Sequence, residues 1–104
     1  MIIYHTTYHL SNEVFLKGLD YLKTIYVPAA TRSGQLFKPR MQRVMNEDAD
    51  VNGVSLSIQF CVADVEALNE WIRKEGVGLQ KELVEKFNDE IVCFSTLLEE
   101  IDIS

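Results

Sequence analysis

The stretch Val54-Ser55-Leu56-Ser57-Ile58-Gln59-Phe60-Cys61-Val62 alternates without a break. Val, Leu, Ile, Phe and Val fall on one side, while Ser55, Ser57, Gln59 and Cys61 fall on the other, and a period of two places successive side chains on opposite faces of a strand. This is a strand buried mainly on one side. Immediately before it, the polar stretch Asn46 to Gly53 ends in Asn52-Gly53, a turn signal. Leu36 to Met45 then reads as its neighbour, with Phe37, Met41 and Met45 on one face and Lys38, Arg40 and Gln42 on the other. Pro39 has no N–H to give to a ladder, so this second strand is predicted at a sheet edge.

Working outward, Ile2 to Leu10 alternates in Ile, Tyr and Thr and is read as the first strand. Ser11 and Asn12 are N-cap residue types, and Phe15, Leu19, Leu22 and Tyr26 recur at helical spacing, giving a first helix that ends near Gly34. Pro28 should kink it or start a fresh turn, because the proline ring removes one backbone bond. Asp64 is predicted to cap a second helix with an apolar stripe of Val65, Leu68, Ile72, Leu79, Leu83 and Phe87. Gly76 and Gly78 weaken that helix, yet the stripe resumes in phase after them, which favours continuity. Asn88-Asp89 turns the chain into a last strand, Ile91 to Ile101, with Val92, Phe94 and Leu98 on one face and Cys93, Ser95 and Leu97 on the other.

The order strand, helix, strand, strand, helix, strand is the ferredoxin-like βαββαβ plan, an α+β fold. Right-handed crossovers give an antiparallel four-stranded sheet of order 4-1-3-2 with both helices on one face. That face is predicted to carry Tyr4, Phe37, Phe60 and Phe94, and the other is left open. Residues 1–104 are read as one domain, with none left over for a linker.

The chain has 104 residues, 47% hydrophobic and 25% charged, with 10 basic against 16 acidic side chains and a net charge of −6. This is an ordinary globular composition, and its acidity argues against a dedicated nucleic-acid binder. The charge is uneven: residues 1–52 hold six bases against five acids and residues 53–104 four against eleven, so the halves carry +1 and −7. Between Asp20 and Glu47 there is no acid, only Lys23, Arg32, Lys38, Arg40 and Arg43. That stretch suits either a small anion or a strand edge blunted by cations. Two cysteines without a cysteine-rich framework fit a reducing compartment. The start lacks the pattern of a signal peptide, and the run Ile25 to Ala30 is too short to span a bilayer. A cytoplasmic protein with no membrane partner is expected.

Several segments together resemble a small bacterial family of unknown function. They are Met1-Ile2-Ile3-Tyr4, the proline of the first helix followed by Ser33-Gly34, Lys38-Pro39-Arg40, Ile58-Gln59-Phe60, Trp71 to Gly76, and Thr96-Leu97-Leu98-Glu99. The resemblance spans nearly the whole chain. It implies a dimeric α+β barrel, in which two ferredoxin-like subunits press their open sheet faces together, and it supplies no catalytic residues. The family pattern has a histidine before the Ile/Val-Pro pair and an acid after it, where this chain has Tyr26 and Ala29.

On the open face the alternation gathers His5, Thr7 and His9 beside Ser57, Gln59 and Cys61, with Arg40 nearby. His5, His9, Arg40 and Gln59 are therefore the candidate ligand-binding residues, suited to a small anion held by the planar fork of Arg40. An imidazole titrates near neutral pH and could serve as a base, but no orienting carboxylate is visible in the sequence. The two histidines lie too far apart along one strand to share a metal ion, so no metal site is predicted, and no cofactor is implied. Cys61 and Cys93 are expected on this face too, separated by the first strand and therefore unbridged. Trp71 stands one position off the buried stripe, as a flanking core aromatic or a partner contact. No P-loop, G-x-G-x-x-G, H-E-x-x-H or G-x-S-x-G pattern occurs. Two classes of function remain: a homodimeric binding or interaction module using the open sheet face, which is preferred, and a cofactor-independent enzyme of monooxygenase or isomerase type. A cavity between sheet and helices with convergent polar groups would favour the enzyme, whereas a filled space would favour the module.

Overall fold

The computed structural model describes residues 1–45 and 53–103. The elements run β1 (Ile2–Leu10), α1 (Phe15–Tyr21), a π-turn (Leu22–Tyr26), α2 (Val27–Thr31), β2 (Phe37–Arg43), β3 (Val54–Val62), α3 (Val65–Trp71), a second π-turn (Ile72–Gly76), α4 (Val77–Phe87), a 3₁₀ turn (Asn88–Glu90) and β4 (Ile91–Glu99). The four strands form one antiparallel sheet of order β2-β3-β1-β4, the ferredoxin-like arrangement that the alternation of β1 and β3 implies. The polar stretch Asn46 to Gly53 and its predicted turn lie, except for Gly53, outside the described residues. Among the described residues no helix is long and apolar enough to cross a membrane.

Core formation follows the period-two pattern. Tyr8 and Leu10 of β1 and Leu56, Ile58, Phe60 and Val62 of β3 meet Leu22, Tyr26 and Ala30 from the first helical arm and Leu68, Trp71, Leu83 and Phe87 from the second. Asp64 caps α3, its Oδ1 accepting from the Ala67 N–H at 2.7 Å. The first helix starts differently from expectation. Its N-cap is Val14, with no side-chain bond, while Ser11 turns away to donate to the Glu90 carboxylate. Ser11 is drawn off because its backbone also pairs with Glu90 ahead of β4, at 3.0 Å.

Each helical arm carries one wide turn. The Val27 N–H reaches back five residues to the Leu22 carbonyl, and the Val77 N–H does the same to Ile72. In the first arm the widening comes just before Pro28, which could not have bonded to Thr24 in an α-helix and whose ring would have crowded that carbonyl. The arm stays helical through the proline instead of breaking. The second arm is continuous through Gly76, as the resumption of the apolar stripe predicts.

Two face assignments need correction. Between Phe37 and Arg40 the pairing with β3 shifts: Phe37 lies opposite Cys61 and Arg40 opposite Gln59, so β2 spends one extra residue in a bulge at Lys38-Pro39, where Lys38 takes φ +51. A bulge reverses the alternation beyond it. Phe37 therefore stands on the open face, while Met41, opposite Ile58, packs on the core. In β4 the register sets Cys93 against Tyr8 and Phe94 against Thr7, so Phe94 also stands on the open face and Cys93 under the helices. The sequence reading sent the more apolar set of β4 inward; the register sends it outward, and Phe94 is left 65% exposed. Cys61 and Cys93 consequently lie on opposite faces of the sheet, both as free thiols.

Candidate functional site

Across β1 and β4 one row is small: Thr6 stands opposite Ser95, and their hydroxyls share a hydrogen bond at 2.8 Å. Larger side chains flank it on β1, Tyr4 on one side and Tyr8 on the other. Above this row the second arm presents Gly76, whose missing Cβ would lie 2.7 Å from Cζ3 of Trp71. Small residues below and a glycine above leave a cavity of about 400 Å³ between sheet and helices. Its walls include Tyr4, Tyr8, Tyr26, Trp71, Gln80 and Cys93, and Tyr26 and Gly76 come from the two π-turns. Such turns widen a helix locally and recur at functional sites.

The aromatic walls are fixed. Tyr4 meets Trp71 edge-on at 5.9 Å and Tyr8 meets Tyr26 at 6.0 Å. The Trp71 indole N–H donates to the Ala30 carbonyl at 2.9 Å, which ties the two helical arms together and satisfies its only polar atom. The polar groups are all uncharged: the Tyr8 and Tyr26 hydroxyls bond to each other, the Gln80 amide donates to the Cys93 sulfur at 3.6 Å, and Ser95 donates to the Tyr4 hydroxyl at 3.5 Å. Burial holds the Tyr8 phenol well above its ordinary range, with Tyr26 adding to the effect. Burial likewise pushes Tyr26 up to about 12, although its bond from Tyr8 works the other way. Both phenols are thus protonated at neutral pH, and neither acts as a base. What they offer is O–H donors beside an apolar wall, an arrangement that polarises a carbonyl or steadies an oxyanion. Among the described residues no acid, base or histidine lines the cavity.

The residues singled out from the sequence occupy the opposite face. His5 lies opposite Gln59, which lies opposite Arg40, so the structure brings these three into one row across β1, β3 and β2. His5 Nε2 shares a 2.6 Å hydrogen bond with Ser57. His9 is not part of that row; it stands opposite Ser55, bonded to its hydroxyl at 3.1 Å, beside Gly53 at φ +133. Among the described residues no group of three or more His, Cys, Asp or Glu is placed to hold a metal ion. In the sequence the cavity tyrosines read only as strand and stripe residues. The signal that could have found them was the departure from the family pattern at Tyr26, beside a proline that demands an irregular turn.

The chain matches, over residues 1–101, the family described as a domain of unknown function, DUF4286. It belongs to that family. Comparison with curated protein sequences finds no match. Solved structures share its fold. An ethyl tert-butyl ether (EthD) family protein from Bacillus halodurans superposes with a TM-score of 0.71 at 16% identity, covering 97% of this chain and 100% of its own. A protein from Deinococcus radiodurans described as an antibiotic biosynthesis monooxygenase also gives 0.71 at 16% identity, covering 100% and 96%. A dimeric ferredoxin-like protein from an uncultured marine organism gives 0.61 at 18% identity, covering 100% and 96%.

Proposed function

We propose that this DUF4286 chain works as a homodimer that binds a small, uncharged, largely apolar compound carrying one oxygen function in the sheet–helix cavity, and that it polarises that oxygen as a cofactor-independent enzyme would. The observation that carries this reading is the cavity itself, open and walled by aromatics, with the Tyr8 and Tyr26 hydroxyls buried together at its polar end. An apolar aromatic wall with no cation among its described residues disfavours a charged ligand, whose lost hydration would go largely uncompensated. The fold of the monooxygenase-like neighbour supports the same class. The use of the open sheet face as an interaction surface is kept in this reading as the dimer contact. Phe94, Val92, Val44 and Leu98 stand exposed there among small polar side chains, a mixture suited to burial against a second sheet. The row of Arg40, Gln59 and His5, with His9 beyond it, is proposed as the polar part of that contact and as a seat for a small anion. Two free thiols and no bridge between them fit a reducing, cytoplasmic setting.

The test is a binding series monitored on the indole N–H resonance of Trp71, which sits in the cavity wall. Aromatic ketones and phenols are expected to shift it, and Tyr26→Phe to weaken them about tenfold, the loss of a hydrogen bond in a buried site. Unchanged affinity in both Tyr8→Phe and Tyr26→Phe, or equal shifts from the matching carboxylates, would overturn the reading. Sedimentation showing only monomer at tens of micromolar would remove the dimer.

A further inference from the structure

The hydroxyls of the tyrosine cavity form two separate donor chains, and each chain ends on a tyrosine. A hydroxyl has a single proton to give. Ser95 gives its proton to the Tyr4 oxygen at 3.5 Å, so in its 2.8 Å bond with Thr6 it is the acceptor, and this chain runs from Thr6 through Ser95 to Tyr4. In the other chain Tyr8 donates to Tyr26, because the bond holds the Tyr8 proton in place and eases the loss of the Tyr26 proton. Neither chain uses the proton of its last tyrosine. Tyr4 and Tyr26 therefore each bring a donor to the cavity they line. The two chains lie on either side of the small row: Tyr4 and Tyr8 leave β1 about 13 Å apart at 3.3 Å per residue, with Thr6 midway. Both end rings are fixed, Tyr4 by its edge contact with Trp71 at 5.9 Å and Tyr26 by Tyr8 and Phe60 at 6.0 and 6.2 Å, so the donors are in place before a ligand arrives.

We infer that the cavity takes an uncharged aromatic compound with an oxygen function at each end, such as an aryl diketone, one oxygen accepting from Tyr26 and the other from Tyr4, with the ring between them above Thr6 and Ser95. A compound with a single oxygen would cover one of the two donors with hydrocarbon and forfeit that hydroxyl's hydration without return. The inference rests on the reading of this cavity as the binding site and adds a second oxygen to its ligand.

The probes are 1,4-diacetylbenzene and 4-isopropylacetophenone, which share nearly one shape and differ in whether the second substituent carries a carbonyl. Each is titrated against the full chain on the Trp71 indole N–H resonance. The diketone is expected to bind about three- to tenfold tighter, beyond the factor of about two that its symmetry supplies, although it is the less apolar of the pair. Tyr4→Phe should abolish that preference and leave 4-isopropylacetophenone within about twofold of its wild-type affinity. Ser95→Ala removes the donor to Tyr4 but not the Tyr4 proton, and should keep the preference. A preference of no more than about twofold in the wild-type chain would overturn the inference while the single-oxygen reading stands, and this comparison needs no variant to fold. A preference that survives Tyr4→Phe would overturn it as well, and loss of the preference in Ser95→Ala would move the second contact to Ser95 with the same result. Binding of neither ketone would overturn both readings.

Discussion

Strand β1 has two faces made of similar materials and used in opposite ways. Tyr4, Thr6 and Tyr8 point under the helices, where the Tyr4 and Thr6 hydroxyls meet Ser95 and the Tyr8 hydroxyl meets Tyr26. His5, Thr7 and His9 point the other way, where His5 and His9 bond to the serines of β3. The more conspicuous titratable residues lie on the open face, and the enclosed space lies on the other. Chemistry-bearing residue types alone therefore point to the wrong side of this sheet; enclosure comes from size, from the small Thr6–Ser95 row and the glycine above it.

The sharpest test compares one aromatic from each face. Trp71 is 1% exposed and Phe94 65%. Trp71→Ala should cost about 3–5 kcal/mol in chemical denaturation, through the lost packing and the cavity it leaves. Phe94→Ala should change the stability of the monomer by less than about 0.5 kcal/mol while weakening self-association. Equal costs would mean that the two faces are buried alike.

The plan of the fold is legible because β1 and β3 alternate cleanly and because the register of a half-buried strand is set by its apolar face. β4 was harder to phase, since both of its faces carry apolar residues and only pairing with β1 decides between them. In β2 the inversion arises at Lys38-Pro39, and no periodicity can reveal an extra residue that a bulge absorbs. Whether the region between sheet and helices is open or filled is not legible, because it is a space and a sequence displays residues. Tyr4, Tyr8 and Tyr26 look like core, as indeed they are, until Thr6, Ser95 and Gly76 are seen to leave the gap beside them.

A smaller effect sharpens the covered side. The buried phenols Tyr8 and Tyr26 have folded pKa values above the unfolded value of about 10. The folded state therefore holds its protons more tightly, so their contribution to stability is complete below pH 10 and falls as pH climbs toward 12. For Tyr26, pushed to about 12, the loss should be on the order of 2 kcal/mol, read as an alkaline drop in denaturation midpoint that Tyr26→Phe flattens. A midpoint equally steep in wild type and in both Tyr→Phe variants would show that the phenols are not held in the protonated form by burial.

The smallest effect separates two glycines of the second helical arm. A Cβ at Gly78 meets nothing within 4 Å, whereas one at Gly76 meets the Trp71 ring. Gly78→Ala should stabilise the chain by about 0.5–1 kcal/mol, as helix propensity directs, and Gly76→Ala should lose that gain by pressing the indole into the cavity. Equal stabilisation by both would mean that the ring has room to move.

The bulge at Lys38-Pro39 also has a consequence for assembly. A sheet has two edges, and an open polymer needs both of them to be receptive. β2 offers a proline, a residue at φ +51 and neighbouring cations, and so refuses another strand. β4 carries none of these and keeps Val92, Phe94 and Leu98 exposed on one side. An intruding strand can be added at one end and growth then stops, so this sheet is protected from fibril formation by being blunt on a single side.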